Sequence, residues 1–186
     1  MAEKLAISAD ELIKAIEQAF DGVECSTTSL RQFSLTEQFG LLRDITDKEW
    51  TQAGKSRIDS KWQDIPDSEI EECNCLLAFM QAKEFKYFLP AYMRYSVNNY
   101  KKSIWETDII GGVVHSLFPS SKNDDLYVYN VRQLSLLIET QKSTVVQFLH
   151  FVATSAGDVQ RPDAVKALER YWYKNSATQL WVTFRL

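Results

Sequence analysis

Two cysteines that stand one residue apart are the first residues in this sequence that could carry chemistry. Cys73 and Cys75 could hold a metal or form a redox pair only if both sulfur atoms converged on one point. The surrounding apolar pattern predicts a helix, on which side chains two residues apart point about 200° away from each other. Cys73 then joins the core stripe, and Cys75 faces the other way. We therefore interpret both cysteines as structural and expect no metal.

A cysteine nucleophile would also need a histidine base, and the chain has only His115 and His150. Each lies away from the apolar stripe of its predicted helix, so we expect both at the surface. The sequence contains no hydrolase, zinc-peptidase or phosphate-binding motif. Glu69, Glu71 and Glu72 stand in the first turn of a predicted helix, where negative charge complements the helix dipole. These observations favour a protein that is not an enzyme and that needs no cofactor.

Aromatic and cationic residues alternate around Pro90 and form the candidate binding site. Such a mixture can be a protein-binding hot spot or a platform on which nucleic-acid bases stack. The same aromatic residues can instead fill a core, with their hydroxyl groups reaching the surface. The wide apolar arc of the segment favours the core interpretation. The residues proposed for binding are Trp62, Tyr87, Tyr92, Arg94 and Tyr95.

The composition is that of a folded globular protein. The chain has 186 residues, of which 45% are hydrophobic, and a formal net charge of -4. A chain of this length buries about 70% of its unfolded surface and needs no metal or disulfide to be stable. No apolar run reaches the ~18 residues of a transmembrane helix, and the N-terminus lacks a signal-peptide profile. Three cysteines are an odd number, which is typical of a reduced protein. We therefore expect a cytoplasmic location.

The charges are divided unevenly along the chain. Residues 1–90 carry 10 basic and 17 acidic side chains, whereas residues 91–186 carry 11 and 8. A solvated surface is the ordinary explanation, and a polar partner site on either half is the other. The acidic half would suit a basic protein partner. The net negative charge argues against nucleic acid, although single-strand binding through the basic half stays an alternative.

Helical periodicity dominates the sequence. Ser8 with Glu11, and Ser34 with Glu37, have the spacing of a capping box, which opens a helix. The predicted helices are one from Ser8 to Asp21-Gly22, one opened by Ser34, one from Asp67 or Ser68 to about Gln81, one from Pro90 to Lys102, one from Thr107 or Asp108 to Leu117, one from 140 to 156, and one from Pro162. Residues 23–33 and 45–66 are predicted loops, the second with short helical turns. Residues 127–138 are compatible with a strand, a strand then a helix, or extended coil.

The segment that begins at Pro90 is expected at the centre of the fold. Proline favours the first position of a helix, and the residue before it avoids the helical region, so 85–89 is predicted to be extended. A helix that is apolar over more than half of its circumference must touch several neighbours. We predict a mainly α, single-domain bundle over residues 1–186 with six or seven helices around this one. A minor pair of strands near 126–138 and 179–185 is included in the prediction.

The segment from Phe85 to Tyr95, F-K-Y-F-L-P-A-Y-M-R-Y, resembles the signature of an uncharacterised bacterial family of unknown function. The stretch W-Q-D-I-P at 62–66 is similar to an earlier element of that family, as is I-E-Q-A-F at 16–20. The stretch 138–149 is similar to a later one. The resemblance implies a small, mostly helical bacterial protein and supplies no catalytic residues. Some genes of this kind lie among those of small proteins that resemble immunity proteins.

The leading interpretation is a non-enzymatic cytoplasmic protein that binds another protein. An immunity-type neutraliser of that second protein is one form of it. The alternative is an enzyme of an unrecognised class with a pocket near Tyr87, Tyr92 and Arg94. An enclosed pocket with convergent polar groups at that place would favour the enzyme.

Overall fold

The prediction of a mainly α fold is confirmed by a computed structural model of the chain. The structure describes residues 7–74, 76–119 and 124–176, and within these ranges it contains helices and turns but no strand. The helices are α1 (Ala9–Ala19), α2 (Leu30–Phe39), α3 (Asp47–Lys55), α4 (Asp67–Glu72), α5 (Ala82–Asn98), α6 (Ile109–Ser116), α7 (Asp124–Leu134), α8 (Glu139–Ser155) and α9 (Arg161–Ala167). Two 3-10 turns lie at Trp62–Asp64 and Leu76–Phe79. After α9 the chain continues through a π-helical segment, Leu168–Trp172, into a last turn, Tyr173–Asn175.

Helix α5 is the centre of the fold, as the width of its apolar arc predicts. Eleven of its 17 residues are buried. It packs against α1, α4, α6 and α7 and against both 3-10 turns. The buried apolar side chains of these elements belong to one continuous core. Burying a large apolar side chain contributes about 1.5–3 kcal/mol, so a helix enclosed in this way holds its neighbours in place.

Pro90 lies in the middle of α5, so the prediction that residues 85–89 are extended was wrong. A proline inside a helix removes one backbone hydrogen bond and crowds the preceding turn, at a cost of about 3 kcal/mol. Every residue from Tyr87 to Met93 is buried. The local preference of proline is outweighed because an extended 85–89 segment would withdraw several of these side chains from the core.

The start of α1 agrees with its capping box, but the second capping box is five residues earlier than predicted. Ser8 and Glu11 form the first box, the helix ends at Ala19, and Gly22 in the turn that follows has a φ of 66° that favours glycine. The second box is formed by Ser29, whose Oγ accepts from the backbone N–H of Gln32 at 3.3 Å. Ser34, the predicted cap, lies inside α2. The earlier start also places Leu30 in the core.

Replacing Ser29 by alanine should therefore lower the free energy of unfolding by about 1 kcal/mol, the usual cost of losing a helix cap. The matched change Ser34→Ala should cost less than about 0.5 kcal/mol, because a serine inside the helix caps nothing. Urea unfolding followed by tryptophan fluorescence measures both. An equal loss of stability in the two variants would contradict the assignment of Ser29 as the residue that caps α2.

Three other predicted segments differ from the structure or lie outside it. The helix predicted from Asp67 to Gln81 ends at Glu72, and the chain then forms the second 3-10 turn. The possible strand at 126–138 is mostly helix α7, because helical spacing brings both Tyr129 and Gln133 onto the carbonyl of Met80. The possible strand at 179–185 lies outside the described residues. No helix in the described ranges is long and apolar enough to cross a membrane.

Candidate functional site

Four polar side chains from three separate segments meet beside α5 and form the candidate site, the Cys25 cluster. Its members are Cys25, Arg57, Asp59 and Tyr87. Cys25 comes from the loop between α1 and α2, whereas Arg57 and Asp59 come from the loop after α3. Tyr87 projects from the buried face of α5. Hydrogen bonds between the four side chains connect α5 to both loops.

Asp59 is the acceptor at the centre of the cluster. Its Oδ2 atom accepts from the Tyr87 hydroxyl at 2.7 Å and from Arg57 Nη2 at 2.6 Å. Arg57 Nη2 also lies 2.8 Å from Cys25 Sγ, and the Cys25 thiol can donate to the Tyr87 hydroxyl at 3.4 Å. A further guanidinium N–H of Arg57, on Nη1, donates to the carbonyl of Ser26. The thiol, the guanidinium, the carboxylate and the phenol therefore form a closed ring of contacts.

Burial decides the electrostatics of the cluster. The Asp59 side chain is only 3% exposed, and that of Arg57 is 18% exposed. Burial, together with hydrogen bonds to Asp59 and Cys25, raises the pKa of Tyr87 above its usual value, so this phenol stays neutral. Burial disfavours the charge of Arg57, but the hydrogen bond and charge of Asp59 outweigh it and raise the pKa of Arg57. The guanidinium is therefore positively charged beside a partly exposed cysteine.

A further carboxyl group, that of Glu69, lies close enough to the cluster to interact electrostatically with Asp59 and Arg57. Glu69 on α4 is buried and is 3.7 Å from Arg31. Burial raises the pKa of Glu69, and the charge of Arg31 only partly opposes this. The prediction that Glu69 serves only the dipole of its helix therefore misses its burial and its arginine partner.

The predicted binding residues Trp62 and Arg94 lie together. Trp62 is in the core of the fold and Arg94 is at the edge of the core, so the pair does not form an open surface. Trp62 is 1% exposed, and its indole N–H donates to the carbonyl of Phe20 at 2.9 Å. The guanidinium of Arg94 lies 5.5 Å from the centre of the Trp62 ring and donates to the carbonyls of Gln63 and Ile65. The hydrogen bonds of these two side chains connect the first 3-10 turn to the end of α1 and to α5.

The three predicted binding tyrosines are buried and point to different partners. Tyr87 belongs to the Cys25 cluster, the Tyr92 hydroxyl donates to the carbonyl of Cys73, and the Tyr95 hydroxyl donates to Glu71 at 2.7 Å. Their hydroxyl groups thus tie α5 to the segment from Asp59 to Cys73. A partner would reach these rings only after a rearrangement of the fold, and their use in binding stays a prediction.

The other residues singled out in the sequence do not converge. Cys73 is buried as predicted, burial raises its pKa to about 11, and Cys75 lies outside the described residues. His115 is exposed as predicted. His150 is half-buried rather than fully at the surface as predicted: its ring contacts the Tyr173 hydroxyl at 3.0 Å, and burial lowers its pKa. In the part of the chain that the structure describes, no group of three acidic, cysteine or histidine side chains could hold a metal.

Two open clefts lie on the surface, and the residues that line them do not include a member of the Cys25 cluster. One of about 450 Å³ is lined by Glu17, Gln18, Asp21 and Gln63. The other, of about 330 Å³, lies between the start of α5 and the end of α7, beside Lys83 and Arg132. The lining residues described for these clefts do not include Tyr87, Tyr92 or Arg94. Neither cleft is therefore the pocket near these three residues that would favour an enzyme.

Fold and site together define a small, mainly α protein with an apolar core, in which buried polar groups are joined by ion pairs and by hydrogen bonds from tyrosine hydroxyls. The chain belongs to a family of unknown function, DUF6714, whose model matches residues 8–176. This confirms the resemblance to an uncharacterised family, and the matched range includes the Cys25 cluster and all five predicted binding residues. No curated protein and no solved structure matches the chain.

Proposed function

We propose that this is a non-enzymatic protein-binding module of the cytoplasm and that the turn between α2 and α3 is its docking surface. One observation carries the proposal. Leu41 is fully exposed and Leu42 is 80% exposed, although they are adjacent in the chain. Scattered apolar residues are normal on a protein surface, whereas a contiguous exposed apolar patch marks an interaction site.

The surroundings of the two leucines extend the apolar surface and hold it in shape. Trp50 on α3 is 38% exposed, and α3 itself buries none of its residues. Arg43, next to Leu42, pairs with Glu49 at 2.7 Å and lies 4.5 Å from the centre of the Phe39 ring. A surface that is already ordered loses little entropy on binding, which favours affinity.

The charges around this turn indicate the kind of partner. Glu37, Asp44 and Asp47 are exposed around the leucines; of the two cations there, Arg43 is paired with Glu49, and Lys48 is the other. The first 90 residues carry seven more acidic than basic side chains. A protein with an apolar recess and basic side chains at its rim would complement this surface, and complementary charges also speed association. An immunity-type module, which neutralises a second protein by covering its surface, is one function of this kind.

The double substitution Leu41→Ser and Leu42→Ser should weaken binding of such a partner about 100-fold, since each leucine that leaves an interface costs more than a tenfold factor in affinity. The tagged full chain is purified from its host, and the partner's affinity is then measured by calorimetry. Val159→Ser is the matched control, because Val159 is 62% exposed and lies in the connection between α8 and α9.

The proposal requires one stoichiometric protein that binds the wild type and the control but not the double variant. Equal binding by the double variant, or no stoichiometric protein, would contradict it. Self-association of the wild type that disappears in the double variant would assign the surface to a second copy and would also contradict the proposed basic partner.

A second candidate is an enzyme that uses the site beside Tyr87, and the convergence of Cys25, Arg57 and Asp59 on that phenol favours it. Native mass spectrometry of the purified protein separates the two candidates. A bound small molecule that is lost in Cys25→Ser supports the enzyme, whereas a bound protein supports the docking module.

A further inference from the structure

We propose that Cys25 is a reactive thiol site that hydroperoxides oxidise to a sulfenic acid. The inference is independent of the docking surface. It rests on the contact of two groups of different chemistry with one sulfur atom and on the carboxylate that holds both of them. Arg57 Nη2 is 2.8 Å from Cys25 Sγ, the Tyr87 hydroxyl is 3.4 Å from it, and Asp59 holds both neighbours through a single carboxylate oxygen.

Access and charge distinguish Cys25 from Cys73. Cys25 is partly exposed, whereas Cys73 is buried in the core and its pKa is raised to about 11. The nucleophile in thiol chemistry is the thiolate, and reactive cysteines lie in partly exposed places beside arginine, lysine or protonated histidine. Among these two cysteines, only Cys25 has a guanidinium in hydrogen-bond contact with its sulfur.

The position of Arg57 is fixed by contacts that do not involve the thiol. Its Nε and Nη2 atoms donate to Asp59, and its Nη1 donates to the carbonyl of Ser26. The loop that carries Ser26 is itself ordered, because the Ser26 hydroxyl donates to the carbonyl of Thr28 at 2.8 Å. The guanidinium therefore stays beside Cys25 when the thiol loses its proton, and it can donate to an oxygen that approaches the sulfur.

The reaction balances with a hydroperoxide as the only other reactant. The Cys25 thiolate attacks one oxygen of the peroxide, a sulfur–oxygen bond forms, and the oxygen–oxygen bond breaks. The sulfur loses two electrons, and the departing oxygen leaves as hydroxide or alkoxide, which takes a proton from water. The product is a sulfenic acid, the first and reversible step of cysteine oxidation.

The experiment treats the full chain with hydrogen peroxide in the presence of dimedone, which traps sulfenic acids, and measures the rate at which each tryptic peptide gains mass. Cleavage after Lys14 and Arg31 places Cys25 on its own peptide, apart from Cys73 and Cys75. The reference is the same chain unfolded in urea, where every cysteine is an ordinary thiol. Cys25 in the native chain should react about tenfold faster than in the unfolded one, because Arg57 Nη2, 2.8 Å from Sγ, can donate a hydrogen bond to the peroxide as its oxygen–oxygen bond breaks.

Arg57→Gln should remove this advantage, and Arg57→Lys should restore part of it. Partial unfolding of the Arg57→Gln variant would also slow the reaction of Cys25. It would change the circular dichroism spectrum as well, so the spectrum of each variant is recorded. The proposal fails if native Cys25 reacts no faster than in the unfolded chain. It also fails if folded Arg57→Gln reacts as fast as the wild type.

Discussion

Replacing Asp59 by alanine should lower the free energy of unfolding by about 3–5 kcal/mol, the usual cost of removing one partner of a buried ion pair. The carboxylate is 3% exposed and accepts hydrogen bonds from both Arg57 and Tyr87. Without it, the largely buried guanidinium loses its counter-charge, and the phenol, which is fully buried, loses its acceptor. A buried donor without a partner costs about 1–3 kcal/mol by itself.

Two matched variants test which property of Asp59 matters. One keeps a hydrogen-bond acceptor without the charge, and the other removes an aspartate that is exposed. Asp59→Asn keeps an oxygen that can accept from Tyr87, so it should cost less than Asp59→Ala. Asp44→Ala removes an exposed carboxylate and should change stability by less than about 0.5 kcal/mol. Urea denaturation gives all three values. A loss below about 1 kcal/mol in Asp59→Ala would mean that the cluster does not form the interior contacts described above.

The centre of the fold could be predicted from the sequence because burial leaves a periodic pattern. The segment around Met93 and Val97 is apolar over most of its circumference, and both residues are fully or almost fully buried in α5. Helix ends were less predictable. Ser29 and Ser34 both stand at capping-box spacing, and the box that forms is the one whose residues, with Leu30, are buried by tertiary packing. Pro90 is the opposite case, in which packing overrides a strong local rule.

The Cys25 cluster could not be predicted, because its members are far apart in the sequence. Cys25 is 32 residues from Arg57 and 62 residues from Tyr87. Local periodicity carries no information on such contacts, and both loops were predicted only as polar connections. The one sequence signal was Tyr87 itself, an aromatic residue with a polar group on a helix that was predicted to be buried. Such a hydroxyl needs a partner, and here the partner is Asp59.

Replacing Trp62 by alanine should cost about 3–5 kcal/mol, the range for truncating a large buried aromatic side chain. The indole is enclosed, its N–H donates to the carbonyl of Phe20, and Arg94 lies across the ring. Alanine would leave a cavity between the first 3-10 turn, α1 and α5, and it would leave the Phe20 carbonyl with only the long hydrogen bond from the Val23 N–H at 3.4 Å. Chemical denaturation followed by far-ultraviolet circular dichroism is the suitable measurement, because the substitution itself alters tryptophan fluorescence.

The controls for Trp62 also separate a role in packing from a role in binding. Trp62→Phe keeps most of the ring but loses the hydrogen bond, so it should cost about 1–3 kcal/mol. Trp105→Ala removes an indole that is 92% exposed and should cost less than about 0.5 kcal/mol. If Trp62→Ala were as mild as Trp105→Ala, Trp62 would be accessible in solution, and its predicted place beside Arg94 in a binding surface would gain support. The expected large loss instead assigns the pair to packing, because a ring that must be enclosed for folding cannot also be the surface that a partner covers.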